Sequence, residues 1–401
     1  MSKMNLKSIL SIVSYAFFFF SLSLGQWGRI SFLNQAINIY VFELWMMVYI
    51  LWNIKGSHAE LDSASNQNFI IFLKKQKPFI IFLAVLFLSL IWRSWDYSAV
   101  QNLVGLSYLL RLFLYGLFAY FLTTSKNDIK IIKKGFLLYC MTMIVWGVVQ
   151  INFLPRLDTS LYFSGWDNHQ YRFYGFLFDS STSAIVYGIL FLTSVFSFTK
   201  NKVLPMILLI AFLLTFSRMA YVSMAVVGLL FLFDRYSVKK TFFIVLSSLV
   251  FLVIGAGYFN AHSLPLLGEG MRLTRSSTII ARYKSLEEGV SIWKKHPLLG
   301  VGYNRIAFQR SLSVYDKLLQ QNRGVSHASS SFPSSYLTIL VSSGIVGLLA
   351  LLLFLKDLWG KANKMQKILL AFILTASLFD NMMLTNFVLI HGIIAWAVVG
   401  D

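Results

Sequence analysis

The sequence predicts an all-α polytopic membrane protein with about twelve transmembrane helices and one large extracytoplasmic loop. Three observations carry this. Of 401 residues, 57% are hydrophobic and only 13% are charged, more apolar surface than a soluble domain of this length needs. Apolar runs of about 17–25 residues recur along the chain, the length that crosses a bilayer as a helix. Lysines gather at alternate ends of these runs. Inside a membrane every backbone group must find its partner within the chain, so the runs read as helices.

Spans are predicted over 8–24, 37–54, 78–93, 103–123, 136–154, 182–198, 203–216, 219–233, 241–257, 333–355, 367–383 and 387–400. The first follows "MSKMNLKSIL", which is lightly charged, and its apolar run lacks a small-residue cleavage site, so it reads as a retained helix. The second carries Glu43 and the fourth Arg111. A charge near the middle of a span is costly and faces a cavity or a partner; Glu43 is the evident partner, and an ion pair and a ligand role both stay open for Arg111. The fifth holds Cys140, the single cysteine, which rules out a disulfide framework. Before the sixth, "HQYRFYGFLFDSSTSA" places Arg172 and Asp179 ahead of Ser180, Ser181 and Thr182, which can cap a helix N-terminus that also attracts anions. The seventh and eighth are parted only at "LLTFSRMAYVSMA", with Ser217 and Arg218 at the hinge; the last two spans are also close-set. The chain thus divides into 1–257 with nine spans, a large loop over 258–332, and 333–401 with three more. No strand pattern or internal repeat is visible.

With the N-terminus in the cytoplasm, Lys3, Lys7, Lys55, the Lys74–Lys77 cluster, Lys126, Lys130, Lys133, Lys134, Lys200, Lys202, Lys239, Lys240, Lys356, Lys361, Lys364 and Lys367 fall on one side. The short loops opposite contain no lysine, as the positive-inside rule requires. Both termini are then cytoplasmic. Most of the formal charge of +19 is topological and gives no sign of nucleic acid. Arginine follows a different rule. Arg29, Arg93, Arg156, Arg172 and Arg218 lie on the outer side, and the large loop adds Arg272, Arg275, Arg282, Arg305, Arg310 and Arg323, against Arg235 alone inside. Membrane insertion does not demand arginine over lysine, but guanidinium grips phosphate through two parallel hydrogen bonds. The outer cluster points to an anionic ligand such as a lipid phosphate or diphosphate, with snorkelling to headgroups as the plainer alternative.

Within the loop, "STIIARYKSLEEGVSIWKKH" spaces Ile279, Ile280, Tyr283, Leu286, Val290 and Trp293 along one face of a helix that Pro297 ends. That stripe can lie on the membrane core or in the headgroup layer. "LLGVGY" after it reads as a turn. His327, in a serine-rich stretch before the tenth span, has the chemistry of a general base, although a loop histidine is ordinarily just solvated. His169, His262 and His296 have weaker contexts. The chain has no phosphate-binding glycine loop, no dinucleotide fingerprint, no HExxH and no Asp-x-Asp at a membrane edge. No cofactor is expected and no metal site is predicted.

Several segments together resemble the O-antigen ligase and polymerase superfamily. "LTFSRMAYVSMAVVGLLF" resembles its Ser-Arg helix start. "ARYKSLEEGVSIWKKHPLLGVGYNRI" resembles the arginine–helix–Pro-Leu-x-Gly-x-Gly run of its large periplasmic loop. "SSYLTILVSSGIVGLLALLLF" resembles the helix that closes the loop, and "YRFYGFLFDSSTSA" and "LLRLFLYGLFAYFL" match further landmarks. The resemblance implies a GT-C-like glycosyltransferase of the inner membrane of a bacterium, with its active site on the periplasmic side. It implies a glycan on undecaprenyl diphosphate as donor, membrane lipid around it and a chain-length regulator protein as a further partner. Arg218 and Arg282 map onto the diphosphate-binding arginines, Arg172, Arg275, Arg305 and Arg111 act in support, and His327 is nearest to the catalytic histidine. Many members carry His-Asn just before the closing helix; here Pro333-Ser334 stand there, and His327 lies six residues before Pro333.

The implied chemistry is metal-independent and inverting. Charge builds on the departing diphosphate, where fixed guanidinium groups stabilise it, while His327 takes the acceptor's proton. A polymerase of lipid-linked repeat units is the favoured reading, because the loop departs from the His-Asn pattern. A ligase transferring the glycan to a lipid A core is the alternative. A lipid-linked glycan flippase also suits twelve spans, but it would need charged or interrupted helices along a path through the membrane.

Overall fold

Caps and turns mark the helix boundaries in the computed structural model, which describes residues 6–33, 36–56, 71–154, 172–198, 202–235, 277–310 and 330–400. Helix α1 (Leu6–Ser23) runs into a short turn and a hairpin of β1 (Arg29–Phe32) and β2 (Ile37–Tyr40), with Arg29 opposite Tyr40. Then come α2 (Val41–Gly56), α3 (Lys77–Trp92), α4 (Ala99–Thr124), α5 (Lys126–Phe153), α6 (Ser180–Ser197), α7 (Val203–Leu213), α8 (Arg218–Arg235), α9 (Ser277–Lys295), α10 (Ser335–Lys361), α11 (Lys364–Phe379) and α12 (Asn386–Gly400). Ser98 with Gln101 and Asn363 with Gln366 form capping boxes at the starts of α4 and α11. The hairpin corrects the sequence reading: four-residue strands are too short for a period of two to register, and the second helix starts at Val41.

Helices coincide with eleven of the twelve predicted spans; the remaining one, 241–257, falls outside the described residues. Four of them, α4, α5, α6 and α10, are long and apolar enough to cross a membrane. Among the described residues the other apolar helices offer shorter stretches. Helix α7 has 11 residues, so it rises about 16 Å, roughly half a hydrocarbon core. The chain is a helical membrane protein.

Helix α6 is the most enclosed of the four long apolar helices, with 72% of its apolar window buried, and α7 and α12 pack on it. An aromatic cluster joins α1, α2 and α4: Phe18 lies 4.4 Å from Trp45, which stacks on Tyr49 at 5.3 Å. The loop segment shares a small core with the start of α10. Val301, Ile306, Phe332 and Val341 are buried together, with Ile292, Trp293 and Leu337 against them. The stripe of α9 therefore divides. Its Trp293 end enters this cap, whereas Ile279, Ile280 and Tyr283 stay exposed at 56%, 55% and 68%.

The run after α9 is more than a turn. Helix α10 breaks at Gly344, whose φ is 67°, and the run docks into the break. Ile345 N–H donates to the Pro297 carbonyl at 2.9 Å and Val346 N–H to that of Leu298 at 3.3 Å. On the other side Val301 N–H donates to the Val341 carbonyl and Gly302 N–H to that of Ser342. A Cβ on Gly344 would stand 2.0 Å from the Leu298 carbonyl oxygen. Gly344→Ala therefore combines a left-handed backbone with a backbone clash, and the expected result is a loss of about 2 kcal/mol or more. Thermal unfolding in detergent measures it; a variant as stable as wild type would mean that the break is not required.

Candidate active site

One cavity of about 850 Å³ opens at the end of the bundle opposite the lysines at the ends of α3, α5, α7, α10 and α11, while Lys284, Lys294 and Lys295 lie on α9, whose first turns line it. The helix directions fix this end: α1 and α11 finish there, while α2, α6, α8, α10 and α12 begin there. Five arginines line it: Arg29, Arg111, Arg172, Arg218 and Arg282. Two aspartates, Asp179 and Asp380, share the wall, and no lysine does among the described residues. The first turns of α6, α8, α9 and α12 also contribute to the lining, and exposed N–H groups at helix starts add partial positive charge. The site favours an anion by both kinds of charge.

Local sequence explains each position. The hinge between α7 and α8 turns through Phe216 at φ 51°, and α8 starts at once with Arg218, so the guanidinium is carried on the first residue of a helix. Arg282 comes from the second turn of α9. It donates to Asp380 Oδ2 at 2.9 Å and to the Phe379 carbonyl, at the C-terminal end of α11. Arg218 and Arg282, distant in sequence, thus stand on the same cavity. Arg172 is almost wholly buried and donates to Ser180 Oγ at 2.9 Å. Asp179 caps α6, accepting from the backbone of Ser181 and Thr182 at 3.1 and 2.8 Å. Arg111 lines the cavity and also pairs with Glu43 at 3.3 Å. Glu43 in turn accepts from Tyr115 Oη at 2.8 Å and Tyr40 N–H at 3.0 Å. Both roles open for Arg111 in the sequence are compatible with this placement.

Arg305 is not part of the lining. It is 1% exposed, lies 4.5 Å over the Tyr97 ring and donates to Asn102 Oδ1, which ties the loop to the start of α4. Desolvation holds its pKa below the usual arginine value. Arg310 is likewise internal to the cap: it pairs with Glu288 at 2.8 Å and donates to the Ser331 carbonyl at 3.1 Å. Arg275 and His327 lie outside the described residues. Ser334, where the resemblance would place part of a His-Asn pair, is the N-cap of α10, accepting from Leu337 N–H. The sequence reading missed Asp380 as a site residue; its one signal is a lone acidic residue near the end of the predicted span 367–383. Arg29 was visible only as one more outer arginine, because the strand that presents it had no pattern.

His296 anchors the docked run from outside the cavity, its ring hydrogen-bonded to Arg93. Burial first, and the Arg93 charge second, lower its pKa from the usual 6.5. Because the folded value is depressed, its contribution to stability is present above about pH 6.5 and is lost as the pH falls through the lower folded value. Hydrogen exchange at Val301 and Gly302, corrected for intrinsic rate, should accelerate on acidification. The acceleration should vanish in His296→Gln.

Residues 203–352 match the family profile described as O-Antigen ligase. The match runs from α7 into α10 and includes Arg218, Arg282 and Arg305. No curated protein matches the chain.

Proposed function

We propose, from the O-antigen ligase and polymerase superfamily domain carried by residues 203–352, that this chain is a lipid-linked-glycan glycosyltransferase, specifically a polymerase of undecaprenyl-diphosphate-linked repeat units. Members of the superfamily are glycosyltransferase-like enzymes acting on lipid-linked glycans in membranes. The observation that carries the reading is five arginines and several helix starts on one cavity, at the end of the bundle opposite the lysines at the ends of α3, α5, α7, α10 and α11. If lysine marks the cytoplasmic side, the cavity is periplasmic and meets a donor in the outer leaflet of a bacterial inner membrane.

In the proposed reaction the acceptor hydroxyl attacks the anomeric carbon from the face opposite the diphosphate. The C–O bond to the diphosphate breaks, its electron pair leaves with the phosphate oxygen, and the configuration inverts. Arg218 and Arg282 sit where that negative charge collects, with Arg172 and Arg111 behind them. Fixed donors of this kind are effective because they need no reorganisation as the charge appears. Arg275 and His327 keep the roles implied by the resemblance: a further diphosphate contact and the base that accepts the hydroxyl proton. Arg305 is reassigned as a structural clamp. His327→Ala should slow turnover by about 10²-fold or more; an unchanged rate moves the base elsewhere.

Reconstitution with purified lipid-linked repeat units tests the function. A ladder of products from these units alone supports the polymerase. A requirement for lipid A core supports the second reading, a ligase, which the description of the matching family favours.

A further inference from the structure

Ion pairs differ in what can reach them. Arg111–Glu43 is nearly closed off, with side chains 12% and 1% exposed. Arg282–Asp380 is open, at 39% and 24%, and both of its members line the cavity. Asp380 Oδ2 occupies one Nη of Arg282, and the Phe379 carbonyl occupies the other. These two nitrogens form one of the forks through which a guanidinium can hold phosphate by two parallel hydrogen bonds. Carboxylate and phosphate are interchangeable acceptors for that fork, so they contend for it. The second oxygen of Asp380 accepts from Asn381 N–H at 2.8 Å, which fixes the carboxylate to the corner between α11 and α12. If Arg282 turns to another anion, Asp380 stays in the wall. Asp179 lines the same cavity.

We propose that Asp380 is a built-in competitor of the diphosphate for Arg282, and so sets how tightly donor and departing carrier are held. This rests on the reading of the cavity as a diphosphate site. The leaving diphosphate gains negative charge as the sugar departs, and it then faces a fixed carboxylate next to its own ligand. That repulsion weakens product binding and speeds release, whereas a cavity of arginines alone would retain the product. Asp380 is therefore a positioning residue acting through Arg282. The plainer role is a staple that only holds Arg282 and α9 in place. The two roles give opposite signs for affinity.

The test uses the full chain in nanodiscs, with inorganic diphosphate as probe and calorimetry as readout. Asp380→Asn removes the charge and leaves an acceptor for Asn381 N–H. The expected result is binding of inorganic diphosphate about tenfold tighter than wild type, with KM for lipid-linked donor and kcat both lowered because release becomes slower. Equal or weaker binding by a folded Asp380→Asn protein overturns the proposal. Asp380→Ser provides the same comparison if Asp380→Asn does not fold; failure of both to fold makes Asp380 a staple and also overturns it. If wild type and variant alike bind no diphosphate, the reading of the cavity fails and takes this proposal with it. If wild type binds and the variant is not tighter, the proposal alone fails.

Discussion

Arg218→Lys is expected to lower turnover of lipid-linked donor by on the order of 10²-fold while leaving the thermal transition of the protein close to that of wild type. The substitution preserves the charge and most of the length. It removes the planar fork, so a phosphate held by two parallel hydrogen bonds would be held by a point charge free to point elsewhere. Arg218 is suited to this test because it is the first residue of α8, immediately after the left-handed turn at Phe216, and it lines the cavity with Arg282. A short, fixed base of support makes the guanidinium position a property of the fold. Lysine would regain little by shifting. Single-turnover measurement with purified donor separates chemistry from product release, and glycan chain length gives a second readout in cells. A rate within threefold of wild type would show that paired hydrogen bonding at this position does not matter, and would leave only its charge.

Most helix positions were legible because hydropathy reports burial in a membrane directly. The runs at 103–123 and 136–154 became α4 and α5, lengthened at their ends by polar turns that a hydropathy window does not count. What was not legible is where a helix starts being a helix. The run at 37–54 looks uniform, yet its first four residues pair with Arg29–Phe32 as a strand. The break at Gly344 was equally hidden. "SSGIVGLLA" reads as an ordinary apolar stretch, and only the docking of Pro297–Gly302 explains why two backbones must approach so closely there.

The arginines were visible as a population but not as individuals. Their bias to one side suggested an anionic ligand, and four of that outer set, Arg29, Arg172, Arg218 and Arg282, line one cavity together with the mid-span Arg111. Composition could not separate Arg218, on the wall, from Arg305, clamped under Tyr97 and Asn102. Both sit near short polar motifs, and the difference lies in tertiary packing. The carboxylates were harder still. Asp380 and Glu43 each stand alone in apolar surroundings, and only pairing across distant helices, with Arg282 and Arg111, gives them meaning.

Glu43 carries the largest expected effect on stability. Its carboxylate is almost fully buried, pairs with Arg111 and accepts from Tyr115 and Tyr40 at once. Glu43→Gln keeps the shape and removes the charge, leaving the Arg111 guanidinium largely enclosed without its counter-ion. Breaking one side of such a pair costs about 3 kcal/mol or more, because the remaining charge is stranded. Thermal unfolding in detergent should show the loss. The double variant Glu43→Gln with Arg111→Met separates the two roles that the sequence left open. With no stranded charge, stability should recover substantially. If Arg111 only balances Glu43, activity recovers with it. If Arg111 also faces the donor, as its place on the cavity wall indicates, the stable double variant stays slow. Recovery of stability without activity is the expected result, and full recovery of both would confine Arg111 to the scaffold.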